Sequence, residues 1–232
     1  MFTRWTKNIS LLLVFSFFTG CNSKMEIEEK GEQIKDVDGN SYNTVQIGNQ
    51  VWMAEDLKTT HYNDGSPIPM VEDYEEWANL TLPAYCWYNN DSLNADKFGA
   101  LYNWYVVETE KLCPAGWHVP SDEEWIALET ALGGAEIAGG ALKEVGTLHW
   151  KTPNTEASNI SGYAARPGGY RSYNGTFNLM RTSGYWWSTS QKSWYGSEPK
   201  VLYRYMKYDD RALPRHIAEK TNGFSVRCVK NP

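Results

Sequence analysis

The chain has 232 residues, of which 41% are hydrophobic, 22% charged and 14% aromatic, and its net charge is −6. An ordinary charged fraction with abundant aromatic residues excludes a disordered tail, and 19 Gly with 10 Pro exclude collagen-like and Pro-rich chains. An acidic balance without a Lys/Arg cluster excludes nucleic acid as a partner, because phosphate binding needs grouped cations.

Arg4 and Lys7 open the chain, and Ile9 to Phe18 is an apolar run interrupted only by Ser10 and Ser16. The run is too short for a membrane span, which needs about 20 apolar residues, and has the proportions of a signal peptide. Thr19-Gly20-Cys21 follows. Small residues directly before a cysteine resemble the bacterial lipobox, in which the signal is cut ahead of the cysteine and the thiol is acylated. The resemblance implies a lipoprotein signal over residues 1–20, lipidation at Cys21 and attachment to a membrane through the lipid. Asn22 after the cysteine fits sorting to the outer membrane or cell surface. Residues 21–35 are polar and charged and predict a tether, leaving 36–230 as one domain. With Cys21 acylated, Cys86, Cys113 and Cys228 remain. In an oxidising compartment two of them pair and one stays free.

Tyr42 to Ile47 and Gln50 to Ala54 read as two short strands around a Gly48-Asn49 turn. Asp36-x-Asp38-Gly39-Asn40 looks faintly like a calcium loop, but Ile47 stands at its twelfth position where a Glu is needed, so a turn is expected. Glu72 to Leu80 predicts a short helix with Trp77 inward. Phe98 to Val107 predicts another, with Leu101, Trp104 and Tyr105 near one face. Ser121-Asp122-Glu123-Glu124 is a capping box. Trp125, Leu128 and Leu132 follow at helical spacing, and Gly133-Gly134 stops that helix. From residue 146 onward the chain is turn-rich and aromatic, with short strands over 184–190, 201–208 and 224–229 and no helix. The expected class is α+β with few helices, small twisted antiparallel sheets and long structured loops.

Six motifs carry a family resemblance: Val51-Trp-Met-Ala-Glu-Asp-Leu, Phe98-Gly-Ala-Leu-Tyr-Asn-Trp-Tyr, Leu112-Cys-Pro-Ala-Gly-Trp-His-Val-Pro-Ser-Asp-Glu-Glu-Trp, Pro167-Gly-Gly-Tyr-Arg, Tyr185-Trp-Trp-Ser-Thr-Ser and Gly223-Phe-Ser-Val-Arg-Cys-Val. Over residues 36–230 the chain resembles the Fibrobacter succinogenes major paralogous domain, common in exported proteins of Bacteroidota and Fibrobacterota. That domain looks like a distant relative of formylglycine-generating enzymes (sulfatase-modifying factors) and of C-type-lectin-like folds. In the latter, an early cysteine and one on the last strand often clasp the two ends. The resemblance therefore implies a Cys113–Cys228 disulfide, with Cys86 left as a small buried hydrophobe.

Formylglycine-generating chemistry needs two close cysteines late in the fold to hold copper, and here only Cys228 lies late. GxSxG, HExxH, P-loop and GxGxxG motifs are absent. His61, His118, His149 and His216 are scattered, and the Glu123-Glu124 and Asp209-Asp210 pairs consist of adjacent carboxylates that point apart. Calcium-dependent lectins carry a Glu-Pro-Asn loop and a Trp-Asn-Asp strand. Glu198-Pro199-Lys200 puts a cation where an oxygen ligand belongs, and Trp-Asn-Asp is missing. No enzyme activity, metal or cofactor is expected. The expected role is a non-catalytic binding or adhesion module for a glycan or surface protein, with a purely structural surface lipoprotein, and then a formylglycine-generating-type oxidase or other enzyme, as the alternatives. Aromatic faces that could stack on a ligand include Tyr170, Tyr173 and Trp187, but large rings also fill small irregular cores. The expected binding set narrows to Trp150, Trp186, Trp194 and Tyr195.

Overall fold

The computed structural model describes residues 32–193 and 199–232. Cys21, the signal region, the tether up to residue 31, Trp194 and Tyr195 lie outside the described residues. In chain order the elements are β1 (Ile34–Lys35), β2 (Ser41–Tyr42), β3 (Thr44–Ile47), β4 (Gln50–Met53), α1 (Tyr74–Ala78), β5 (Tyr85–Cys86), α2 (Ala95–Phe98), β6 (Leu101–Tyr102) and α3 (Trp104–Val107). There follow β7 (Trp117–His118), α4 (Asp122–Ala131), α5 (Ala135–Leu142), β8 (Tyr170–Arg171), β9 (Phe177–Asn178), β10 (Ser183–Lys192), β11 (Lys200–Lys207), β12 (Arg215–Ala218) and β13 (Val229–Lys230). This is an α+β fold with few, short helices, and every named ladder is antiparallel. The sheets run β3-β4-β13-β7 and β10-β11-β12, with β1-β2, β5-β6 and β8-β9 as small pairs. No described helix is long and apolar enough to cross a membrane.

The first strands form around tight turns. Asp36 accepts from the Asn40 amide and side chain, and Gly39 takes φ +83°, so the acidic loop is a turn, as its sequence suggests. β1 pairs with β2, which places Ile34 and Lys35, the last two residues of the expected tether, in the folded domain.

The helix expected over Phe98 to Val107 is instead three pieces. Gly99, at φ +70°, ends α2 beside the backbone of Asp56 and Leu57, where a Cβ would lie 2.7 Å from the Leu57 carbonyl oxygen. Leu101 and Tyr102 then pair with β5, and Asn103 caps α3 by accepting from the Val106 amide.

α4 carries the full capping box: Ser121 accepts from the Glu124 amide at 3.2 Å, and Glu124 accepts from the Ser121 amide at 2.8 Å. A bulge in β10 between Trp187 and Gln191 lets Ser190 receive the Asp122 amide, tying this helix start to the sheet.

The sheet β10-β11-β12 separates two cores because its side chains alternate. On one face, Trp186 and Met206 join Trp52, Trp125, Trp150 and Tyr163 under α4 and α5. On the other, Tyr185, Trp187 and Val201 meet Phe224, Trp104 and the Cys113–Cys228 bridge. That bridge joins positions 115 residues apart, as the resemblance implied, and Cys86 is free and buried. On the Trp186 face lie charged pairs: Arg227 Nε donates to Asp56 at 2.5 Å, while Arg204, the cross-strand partner of Trp186, and the half-exposed Arg215 each donate to the buried Asp122 at 2.7 Å.

Candidate functional site

The strand alternation that builds the second core also builds a groove at its outer end. Cross-strand partners share a face, so the pairs Trp187–Tyr203, Tyr185–Tyr205 and Tyr203–His216 set their rings on one side of the sheet. Toward the centre Trp187 is fully buried against Phe224, with ring centroids 4.2 Å apart. Toward the edge the cover ends. There Tyr170, Tyr173, Tyr185, Tyr203 and Phe224 line a depression of about 440 Å³, with Ser172, Lys200, His216, Glu219 and Asn222 among its polar lining. That volume lies within the range of small-ligand sites, and aromatic walls with a few placed polar groups are their usual make-up.

The rings hold one another in place. Tyr185 stacks on Phe224 at 5.3 Å, Tyr203 meets Phe224 at 4.8 Å, and Tyr170 meets Tyr185 at 4.8 Å. Behind them Arg171, itself fully buried, anchors the Tyr170 strand. Its guanidinium donates to the carbonyls of Val71, Glu72, Asp73 and Gly175 and lies 4.4 Å from the Trp77 ring centroid. On the rim, the Asn222 side chain accepts from the Tyr173 amide and donates to the Glu219 carbonyl, fixing the backbone from which the exposed Tyr173 ring projects. Burial pushes the Tyr185 phenol up to about 12, and burial likewise raises Tyr203. Both stay protonated at physiological pH, and a protonated phenol donates and accepts hydrogen bonds.

The expected binding set is corrected here. Trp150 and Trp186 are fully buried, so neither presents a face to a ligand. Each indole N–H is also taken, Trp150 by the Ala165 carbonyl at 2.9 Å and Trp186 by Asp56 at 2.8 Å. Tyr170 and Tyr173, which the sequence put among the ring candidates, do line the groove, whereas Trp187 is core. Tyr185, Tyr203 and Phe224 were missed. For Tyr203 and Tyr185 the signal was their two-residue spacing from Tyr205 and Trp187 within strands, which places each pair of rings on one face; Phe224 carried no such signal.

Other chemistry-bearing groups are engaged elsewhere. His61, His118 and His149 each contact a carboxylate, of Asp38 at 2.6 Å, Glu124 at 2.7 Å and Glu144 at 2.7 Å respectively. Burial pushes the Cys86 thiol up to about 12 despite the nearby Arg171. Among the described residues no group of three His, Cys, Asp or Glu is placed to hold a metal ion. A larger depression of about 670 Å³ lies between residues 41–46, 54–58, 95–99 and 160–166. Most of its cations are matched internally, Lys58 by Asp96, Arg227 by Asp56 and Arg166 by Glu144, and among the described residues Tyr42 is the only aromatic one that lines it.

A family model described as the Fibrobacter succinogenes major domain matches residues 45–230. The chain belongs to that family. The Fibrobacter succinogenes major domain thus opens within β3 and closes on β13, enclosing the disulfide and the whole tyrosine groove and leaving β1 and β2 ahead of it. No curated protein and no solved structure matches the chain.

Proposed function

We propose that this chain is a non-catalytic binding module whose ligand is a saccharide, seated in the tyrosine groove and displayed at the outer membrane or cell surface by a lipid on Cys21. The observation that carries the reading is the arrangement of the accessible rings of Tyr170, Tyr173 and Tyr203 around a polar rim, over a base formed by the buried Tyr185 and Phe224. An aromatic face is weakly negative, so it attracts the weakly positive C–H groups of a sugar ring, while phenols and rim side chains meet its hydroxyls. A binding rather than catalytic role is supported by the state of the reactive groups. The phenols stay protonated, Glu219 is held by Lys200, and the Cys86 thiol is buried. A C-type-lectin-like fold is part of the proposal and is supported by the clasp of Cys113 to Cys228 on the residue before the last strand.

The test is a glycan array probed with the soluble domain, with and without chelator. The reading expects saccharide binding that survives chelation and is lost in Tyr203→Ala. An array blank for the wild-type domain overturns it. The anchor is tested by metabolic labelling with a fatty-acid analogue: label on the wild type and none on Cys21→Ala is expected. An unlabelled wild type, or label that persists on Cys21→Ala, rejects it.

A further inference from the structure

A second depression, of about 340 Å³, lies beside the tyrosine groove. The two share a pair of lining residues, Lys200 and Glu219, which form an ion pair with side chains 33% and 51% exposed. The pair is therefore a bar between two compartments rather than the floor of one. The far compartment has its own ring, the half-buried Tyr105 on α3, with the Lys220 ammonium 5.8 Å from the ring centroid. Lys220 in turn reaches Glu108 at 3.3 Å. Along this track the order is tyrosine platform, Lys–Glu bar, Tyr105.

Building on the proposed saccharide site, we infer that its ligand is a linear, uncharged oligosaccharide that crosses the Lys200–Glu219 bar, with one ring on the Tyr170/Tyr203 side of the groove and a later one on Tyr105. Two points of chemistry carry this. Rings on both sides of the bar suit a ligand that repeats a stackable unit along a chain. The bar offers an ammonium donor beside a carboxylate acceptor, which suits sugar hydroxyls because each hydroxyl both donates and accepts. The lysines of the track also come matched, Lys200 with Glu219 and Lys220 with Glu108, so an acidic sugar finds each ammonium already paired and meets the Glu219 carboxylate.

Isothermal titration with neutral gluco-, manno- and xylo-oligosaccharides of two to six units, alongside acidic oligogalacturonides, tests the inference. For the linkage that binds, a tetrasaccharide is expected to bind at least about tenfold more tightly than the disaccharide. Tyr105→Ala should abolish that gain while leaving disaccharide affinity unchanged, and Tyr105→Phe, which keeps the ring, should retain it. Equal affinity for all lengths, with binding still lost in Tyr203→Ala, overturns the two-compartment inference and leaves the groove reading standing. Tighter binding of the acidic series overturns the uncharged assignment. Absence of binding to every saccharide overturns the groove reading itself.

Discussion

Replacing Cys113 and Cys228 together with Ala should lower the stability of the domain more than any change at its surface. The bridge closes a loop of 115 residues, and in the chain-entropy model a loop of that size restricts the unfolded state by about 5 kcal/mol. Both cysteines are buried, at 2% and 0% exposure, and both belong to the core that backs the tyrosine groove. For a domain of this length each kcal/mol corresponds to roughly 2–4 °C, so the melting temperature should fall by roughly 10–20 °C. Cys86→Ala is the internal control: it removes a buried thiol without opening a bridge and should cost about 1 kcal/mol. Thermal unfolding followed by circular dichroism, with a non-reducing peptide map, reads both results. A drop of less than about 3 °C in the double variant, or a bridge that includes Cys86, would refute the clasp as the main covalent constraint.

Two further changes probe polar interactions, one in the interior and one at the surface. Asp56→Ala leaves Arg227 buried without its carboxylate and the Trp186 indole without its acceptor, and should cost about 3–5 kcal/mol in urea unfolding; a loss under about 1 kcal/mol would show that Asp56 is dispensable. Burial tends to raise the Asp38 carboxyl, but hydrogen bonds from the Thr60 amide, His61, Thr60 and Thr59 outweigh it and hold the group below its ordinary value. A depressed folded value means that Asp38 stabilises the fold above about pH 4 and that this contribution is lost as pH falls through the folded value. Asp38→Asn should therefore narrow its deficit relative to wild type between pH 6 and pH 3 in urea midpoints, and a constant deficit would contradict the assignment.

What could be read from the sequence follows how local the governing physics is. The capping box at Ser121 and Glu124 and the inward Trp77 were legible because a turn or two of chain decides them. α5 was not, because Gly139 and Gly140 disfavour helix on propensity alone. They are there for packing: a Cβ on Gly139 would lie 2.2 Å from the Ala212 carbonyl oxygen, and one on Gly140 would lie 2.8 Å from that of Glu156. The false helix across Phe98 to Val107 arose from apolar spacing that strand pairing with Tyr85 and Cys86 overrode. At the site, Trp150 and Trp186 stood out by residue type, yet burial depends on tertiary partners: the Trp150 indole, in a loop, reaches the Ala165 carbonyl, and that of Trp186, on β10, reaches Asp56, 130 positions away. The groove tyrosines come from β8, β10, β11 and the Tyr173 loop, brought together by the β10–β11 register and by the bridges of Gly169 to Gly184 and Arg171 to Gly223.

Chemical-shift mapping tests the location of the ligand site most directly. The ¹⁵N-labelled domain is titrated with the saccharide that binds most strongly on the array. The account predicts shifts concentrated on the amides of Tyr170, Tyr173, Tyr185, Tyr203 and His216, with saturation at one equivalent. Shifts concentrated instead on residues 41–46, 95–99 and 160–166, around the larger depression, would contradict it.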